Sequence, residues 1–146
     1  QVQGPSPVRE WREIAALADR IEQVIREWQP DILHAHSPAL NGLAALRAAE
    51  KSGLPLVYEI RAFWEDAAVG NGTGRENSPR YWLTRQLENH VINGADAVAV
   101  ICEGLKSDLI GRGVKPGKIT ISPNGVDLEL FGEPPARDDQ LLSELE

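Results

Sequence analysis

Apolar positions along the chain switch repeatedly between two periods. Trp11, Ile14, Ala18, Ile21, Ile25 and Trp28 fall at alternating steps of three and four, so residues 10–28 predict an amphipathic helix. Pro30 stops it. Ile32-Leu33-His34-Ala35 follows as a short strand. Ser37-Pro38 predicts a helix start, with serine as the cap and proline in the first turn, and Gly53 closes that helix after Ser52. Leu56-Val57-Tyr58-Glu59-Ile60 is a second strand. Residues 61–79 are polar and carry Gly70, Gly72, Gly74 and Pro79, which predicts a long loop acting as a mobile lid. Leu83, Leu87 and Val91 mark a helix over 80–93, ended by Gly94.

The second half repeats the alternation. Ala97 to Ile101 is apolar throughout, as expected of a parallel strand covered by other elements. A helix over 103–112 ends near Gly113, Lys118 to Ser122 is a fourth strand, and residues 123–127 form a turn. Strands alternating with helices predict an α/β, Rossmann-like parallel sheet, and right-handed crossovers predict helices on both faces. Residues 1–131 are expected to form this domain and the acidic 132–146, with Pro134-Pro135, a linker or tail.

Composition narrows the partners. The formal charge of −7 and pI near 5.0 argue against non-specific nucleic-acid binding, which needs a basic face. Cys102 is the single cysteine, so a disulfide framework and a cysteine-built zinc site are excluded and a reducing compartment is the natural setting. No apolar run approaches the ~20 residues of a membrane-spanning helix. The chain has no methionine, even at position 1, and its N-terminus is expected to be a cut or processed end.

In such sheets ligands bind beyond the carboxyl ends of the strands. The residues predicted there are His34, His36 and Ser37 after the first strand and Arg61, Phe63, Trp64, Glu65 and Asp66 after the second. Cys102 and Glu103 follow the third, and Asn124, Gly125 and Asp127 the fourth. Each has two readings. His34 is expected to be a satisfied core group, whereas His36 at the rim is evenly poised between core and function. Arg61 either enters the crevice to bind an anion bidentately or pairs with Glu59 or Glu65. Glu65 and Asp66 are functional groups or solvated loop charges, and Phe63 and Trp64 face a ligand or anchor the loop. Cys102 is expected to be a small buried residue or a poor helix cap. Arg75, Arg80 and Arg85, with Tyr81 and Trp82, offer either a contact to an anionic membrane surface or a solvated helix face. A dinucleotide-binding oxidoreductase would need Gly-x-Gly-x-x-Gly between a strand and a helix, and position 75 is Arg where the glycine run would require Gly.

Several segments together resemble the family 4 (group 1) glycosyltransferases. They are Pro30 to Ser37, Gly53-Leu54-Pro55-Leu56-Val57, Ala95-Asp96-Ala97-Val98, Glu103-Gly104-Leu105-Lys106, Gly111 to Val114, and Lys118 through Pro123-Asn124-Gly125-Val126-Asp127 to Phe131. The stretch Tyr58 to Ala68 is similar to a bacterial subgroup tied to exosortase-type exopolysaccharide clusters.

The resemblance implies the partial N-terminal, acceptor-side domain of a GT-B fold, with the donor-binding domain and the opening strands outside this chain. It implies retaining transfer from a nucleotide-sugar to a glycan or lipid-linked acceptor, with no metal and no cofactor besides that co-substrate. The setting implied is the cytoplasm, at the inner face of the membrane. Arg61, Glu65 and Asp66 become candidate catalytic residues. His36, Ser37, Asn41 and Trp64 become acceptor-binding candidates, and Glu103, Asn124, Gly125 and Asp127 line the interdomain cleft. The chain departs from the family at Arg61, where many members have histidine, and at Cys102, where serine is usual. Arginine cannot act as a base but can hold an anion. The chain alone is expected to be inactive and to form a homodimer through the edge of strand 31–35 or the helix 10–28. A non-catalytic α/β binding module is the alternative.

Overall fold

The computed structural model describes residues 7–132. The expected tail beyond residue 132 and the expected processed N-terminus lie outside the described residues. Helix α1 spans Pro7–Trp28, β1 Leu33–His36, α2 Ala39–Ser52, β2 Leu56–Ile60, α3 Trp64–Gly70 and α4 Pro79–Gly94. They are followed by β3 Ala97–Val100, α5 Glu103–Gly111, a 3-10 turn at Pro116–Lys118, β4 Ile119–Ile121 and α6 Leu128–Phe131. The four strands pair in parallel in the order β1-β2-β3-β4. The expected α/β Rossmann-like sheet therefore forms.

Register explains both sides of this sheet. Ala35 pairs with Tyr58, Tyr58 with Val98 and Val98 with Ile119, giving one cross-strand row of apolar side chains. With Leu56, Ile60 and Val100 these residues pack against Ala45, Leu46 and Ala49 of α2, Val91 and Ile92 of α4, and Leu109 of α5. Strands that advance one place at a time send their right-handed crossovers to the same side. Helices α2, α4 and α5 accordingly pack on this one side, where the sequence predicted helices on both faces. The alternate residues His34, His36 and Thr120 are exposed on the other.

Helix α1 does not touch the middle of the sheet but packs on α2, with Ile14 and Ala18 against Ala44. Lys51 ties the pair together, its Nζ 2.6 Å from the nearly buried carboxylate of Glu22. Trp11 and Trp28, expected on the apolar stripe, end up 61% and 78% exposed. Gly53 takes φ +68° after α2, and its N–H donates to the Ala49 carbonyl, a left-handed stop that glycine adopts without strain.

Two expectations are corrected. The long loop over 61–79 contains α3, whose acidic residues Glu65 and Asp66 fall in the first turn, where the helix dipole favours them. The Ser37-Pro38 cap does not form. Pro38 occupies the cap position, and Ser37 is still held by β2, its N–H donating to the Glu59 carbonyl at 2.8 Å. The same dipeptide does form a cap at Ser78-Pro79, within the segment expected as a loop: Ser78 Oγ accepts from the Tyr81 N–H.

Candidate functional site

The carboxyl ends of β1 and β2 gather two groups of side chains rather than one. The first centres on Glu59, on the open side of β2. Arg61 Nε donates to Glu59 Oε1 at 2.9 Å, so Arg61 takes the pairing expected as its alternative. His36 Nδ1 lies 3.4 Å from the same oxygen and His34 Nε2 lies 3.1 Å from Oε2. Hydrogen bonding from Arg61 holds the Glu59 carboxylate below its ordinary range, against the opposing effect of burial and with help from both imidazoles. Ser37 Oγ faces the Arg61 backbone N–H at 3.4 Å. His34, expected as a core group, has a side chain 47% exposed, because the covering helices lie on the other side of the strand.

The second group joins α3, α4 and the end of α5. Arg112 Nη1 donates to Glu65 Oε1 at 2.8 Å, and its Nη2 lies 3.7 Å from Asp66 Oδ2. Its guanidinium carbon stands 3.6 Å over the Phe63 ring. The side chains of Arg112 and Glu65 are 5% and 0% exposed, so Glu65 is neither a solvated loop charge nor open to an acceptor hydroxyl. Asp66, half exposed, accepts from the Tyr81 hydroxyl at 2.9 Å, and that bond raises the Tyr81 pKa. Below them the Tyr58 hydroxyl donates to Glu88 at 2.7 Å. Burial pushes the Glu88 carboxyl up, and the charge of Glu65 adds to the effect.

Beside this group a cleft of about 490 Å³ opens between the starts of α2 and α4 and the side of α3. Its walls include Pro38, Leu40, Trp64, Arg75, Arg80 and Tyr81. The volume is in the ~300–1,000 Å³ range of small-molecule sites. Arg75 and Arg80 thus face a cleft as well as solvent. Asn41 stands apart, with His34 and Leu17 in a smaller recess of about 380 Å³ between α1 and β1.

The remaining candidates are spread along the ends of β3 and β4. Glu103 lies in the exposed first turn of α5, where Cys102 is the cap residue, exposed and without a side-chain hydrogen bond. Asn124 and Gly125 are exposed. Asp127 caps α6, accepting from the N–H groups of Glu129 and Leu130. Sequence reasoning missed Arg112, Tyr81 and Glu88 as site-building residues. Glu59 had a usable signal, since it shares the strand parity of His36 across a predicted parallel pair.

A parallel sheet with polar and aromatic groups at its carboxyl edge is a Rossmann-like arrangement, in which ligands bind beyond the strand ends. The profile of Glycosyltransferase Family 4 matches residues 2–130, and the chain belongs to that family. It is 30% identical over 122 residues to a GDP-mannose-dependent alpha-mannosyltransferase of Mycolicibacterium smegmatis, a match covering 84% of this chain and 31% of that protein. It is 31% identical over 114 residues to a D-inositol 3-phosphate glycosyltransferase of Nocardiopsis dassonvillei, covering 74% and 25% respectively. The chain thus spans less than a third of the length of these relatives. Its backbone resembles UDP-N-acetylglucosamine 2-epimerase from Rickettsia bellii, with TM-score 0.58, 16% identity, and 82% of this chain and 29% of that one covered. It also resembles a Listeria monocytogenes protein assigned to the same epimerase activity, with TM-score 0.61, 18% identity and coverage of 92% and 33%. At those identities the likeness concerns the fold alone. Among the described residues no helix is long and apolar enough to cross a membrane.

Proposed function

We propose that this chain is the acceptor-side part of a retaining glycosyltransferase that moves a sugar from a nucleotide-sugar to a hydroxyl of a glycan or lipid-linked acceptor. The observation that carries the reading is the cleft at the carboxyl edge of β1 and β2, flanked by Trp64, Tyr81 and two arginines, in a chain of family 4. Aromatic faces suit the apolar face of a sugar ring, and hydrogen-bonding groups at the rim suit its hydroxyls. The donor is held mainly by a second α/β domain, reached through residues 132–146. Glu103, Asn124, Gly125 and Asp127 face that domain across the cleft between the two.

In this reading the residues have distinct tasks. Arg61, half exposed and tied to Glu59, supplies a cation near the developing negative charge of the leaving phosphate. Asp66 orients the Tyr81 hydroxyl and Trp64 contacts the acceptor from the cleft wall, with His36, Ser37 and Asn41 meeting parts of the acceptor that extend beyond the cleft. Glu65 works through Arg112, fixing the first turn of α3 that presents Trp64 and Asp66. The wording of residues 58–68 supports a place in bacterial exopolysaccharide synthesis at the inner face of the membrane. The chain alone is inactive, and it self-associates through the edge of β1 or through helix α1.

The test is transfer of labelled sugar from GDP-, UDP- and dTDP-sugars by the full-length gene product, with bacterial lipid and glycan acceptors. Product formation with the anomeric configuration kept, reduced well over tenfold by Arg61→Ala at unchanged melting temperature, is expected. An inverted product, or no transfer to any hydroxyl acceptor, overturns the proposal.

A further inference from the structure

On the open side of the sheet two imidazoles and a carboxylate converge on one point. His34 and His36 are two apart in β1, so strand geometry turns both to the same side. The parallel register sets His36 beside Glu59 of β2. The two rings stack with centroids 4.7 Å apart and planes 24° from parallel. One nitrogen of each ring and one Glu59 oxygen lie within 4.8 Å of one another. From these placements we propose that His34, His36 and Glu59 form a binding site for a divalent transition-metal ion, of which Zn²⁺ is the best match.

The distances carry the argument. Ligand atoms about 2.0–2.2 Å from a tetrahedral zinc stand about 3.3–3.6 Å from each other. His34 Nε2 lies 3.1 Å from Glu59 Oε2 and His36 Nδ1 lies 3.4 Å from Oε1, close to that spacing, while the set as a whole spans up to 4.8 Å and must contract to enclose an ion. Two imidazoles with one carboxylate suit zinc, cobalt or nickel, whereas magnesium and calcium prefer all-oxygen sets. Both imidazoles are about half exposed, which leaves a further position for water or an anion.

One group opposes the ion. Arg61 Nε occupies Glu59 Oε1, and its positive charge repels a cation placed there. Its side chain is 59% exposed and can swing into solvent, leaving both oxygens to the metal. Arg61 therefore competes with the ion for Glu59. The site shares His36 and Arg61 with the transferase reading, but it lies on strands β1 and β2 rather than in the aromatic cleft, and its test requires no turnover.

Calorimetry of the full, tag-free chain with Zn²⁺, and the visible absorption of Co²⁺ as a spectroscopic substitute, test the site. One ion per chain is expected, with no matching response to Mg²⁺. Replacing the outer partner of a metal ligand typically costs 10–100-fold in affinity, so His34→Ala and His36→Ala should each weaken binding by at least about tenfold. Arg61→Ala should tighten it, an effect with no counterpart if the ion binds elsewhere. His90 is the remaining histidine, and His90→Ala should leave binding unchanged. Melting curves of each variant check that it is folded. The proposal is overturned if no saturable binding occurs, if folded His34→Ala and His36→Ala bind as wild type, or if His90→Ala or Cys102→Ser abolishes binding.

Discussion

Replacing Arg112 by methionine would remove the cation from the Glu65 carboxylate while keeping an apolar side chain over the Phe63 ring. The expected cost follows from burial. Exposed ion pairs contribute about 0–1 kcal/mol, but removing one partner of a buried pair costs about 3–5 kcal/mol, because the charge left behind has neither water nor a counterion. The side chains of Glu65 and Arg112 are 0% and 5% exposed, which places the pair in the second regime. Glu65 Oε2 already lacks a hydrogen-bond partner, so no other group is ready to take over. For a domain of this size each kcal/mol lowers the melting temperature by roughly 3 °C, giving an expected fall of roughly 9–15 °C. Urea and thermal unfolding followed by circular dichroism would measure it. Adding Glu65→Gln to the Arg112→Met background removes the stranded charge and should recover much of the loss. A single-variant cost below about 1 kcal/mol, or a double variant no more stable than the single, would refute the reasoning.

Three further outcomes are expected. Gly42→Ala would place a Cβ 2.5 Å from Val91 Cγ1 and 2.8 Å from Tyr58 Cε2, so it should destabilise by about 1–3 kcal/mol in a urea titration. Glu88 has its pKa raised in the fold, so the stability its proton contributes is fully present below the ordinary 4.5 and lost as pH rises through the higher folded value. Glu88→Gln should therefore gain stability relative to wild type as pH rises above the ordinary 4.5, and parallel curves for the two proteins would exclude this. Arg61→Ala removes the main influence lowering the Glu59 pKa, and carbon-detected NMR should find that carboxylate titrating at higher pH than in wild type.

Much of the fold was legible because local chemistry and burial agreed. The apolar run at 56–60 became β2 with the expected limits, and Gly53 closed α2 where a left-handed residue was needed. The two Ser-Pro pairs show where local reading ends. Ser78 precedes a helix and its N–H makes only a local turn bond to the Arg75 carbonyl, whereas Ser37 follows a strand whose partner still holds its backbone, so tertiary pairing overrides the cap. Helix α3 was hidden because its seven residues mix two acids, small residues and a terminal glycine. Placing Arg61, Glu65 and Asp66 near the ends of the strands was within reach of the sequence. Their partners were not: Glu65 is paired from 47 residues away and Asp66 from 15, separations that no local pattern encodes.

Helix α2 lies at the meeting point of the whole domain, and this restricts its freedom to vary. Ala44 faces α1, Ala45 and Ala49 face the core over the sheet, and Gly42 lies against Tyr58 and Val91. Even Gly94, at the far end of α4, lies within a methyl group's reach of Leu46. Every flank but one is therefore occupied by another element at close range. Substitutions that a surface helix would absorb are open here only at outward positions such as Asn41, Arg47 and Glu50. A saturation scan of this helix would read like that of an interior strand, with its tolerance set by side-chain volume rather than by helix-forming tendency.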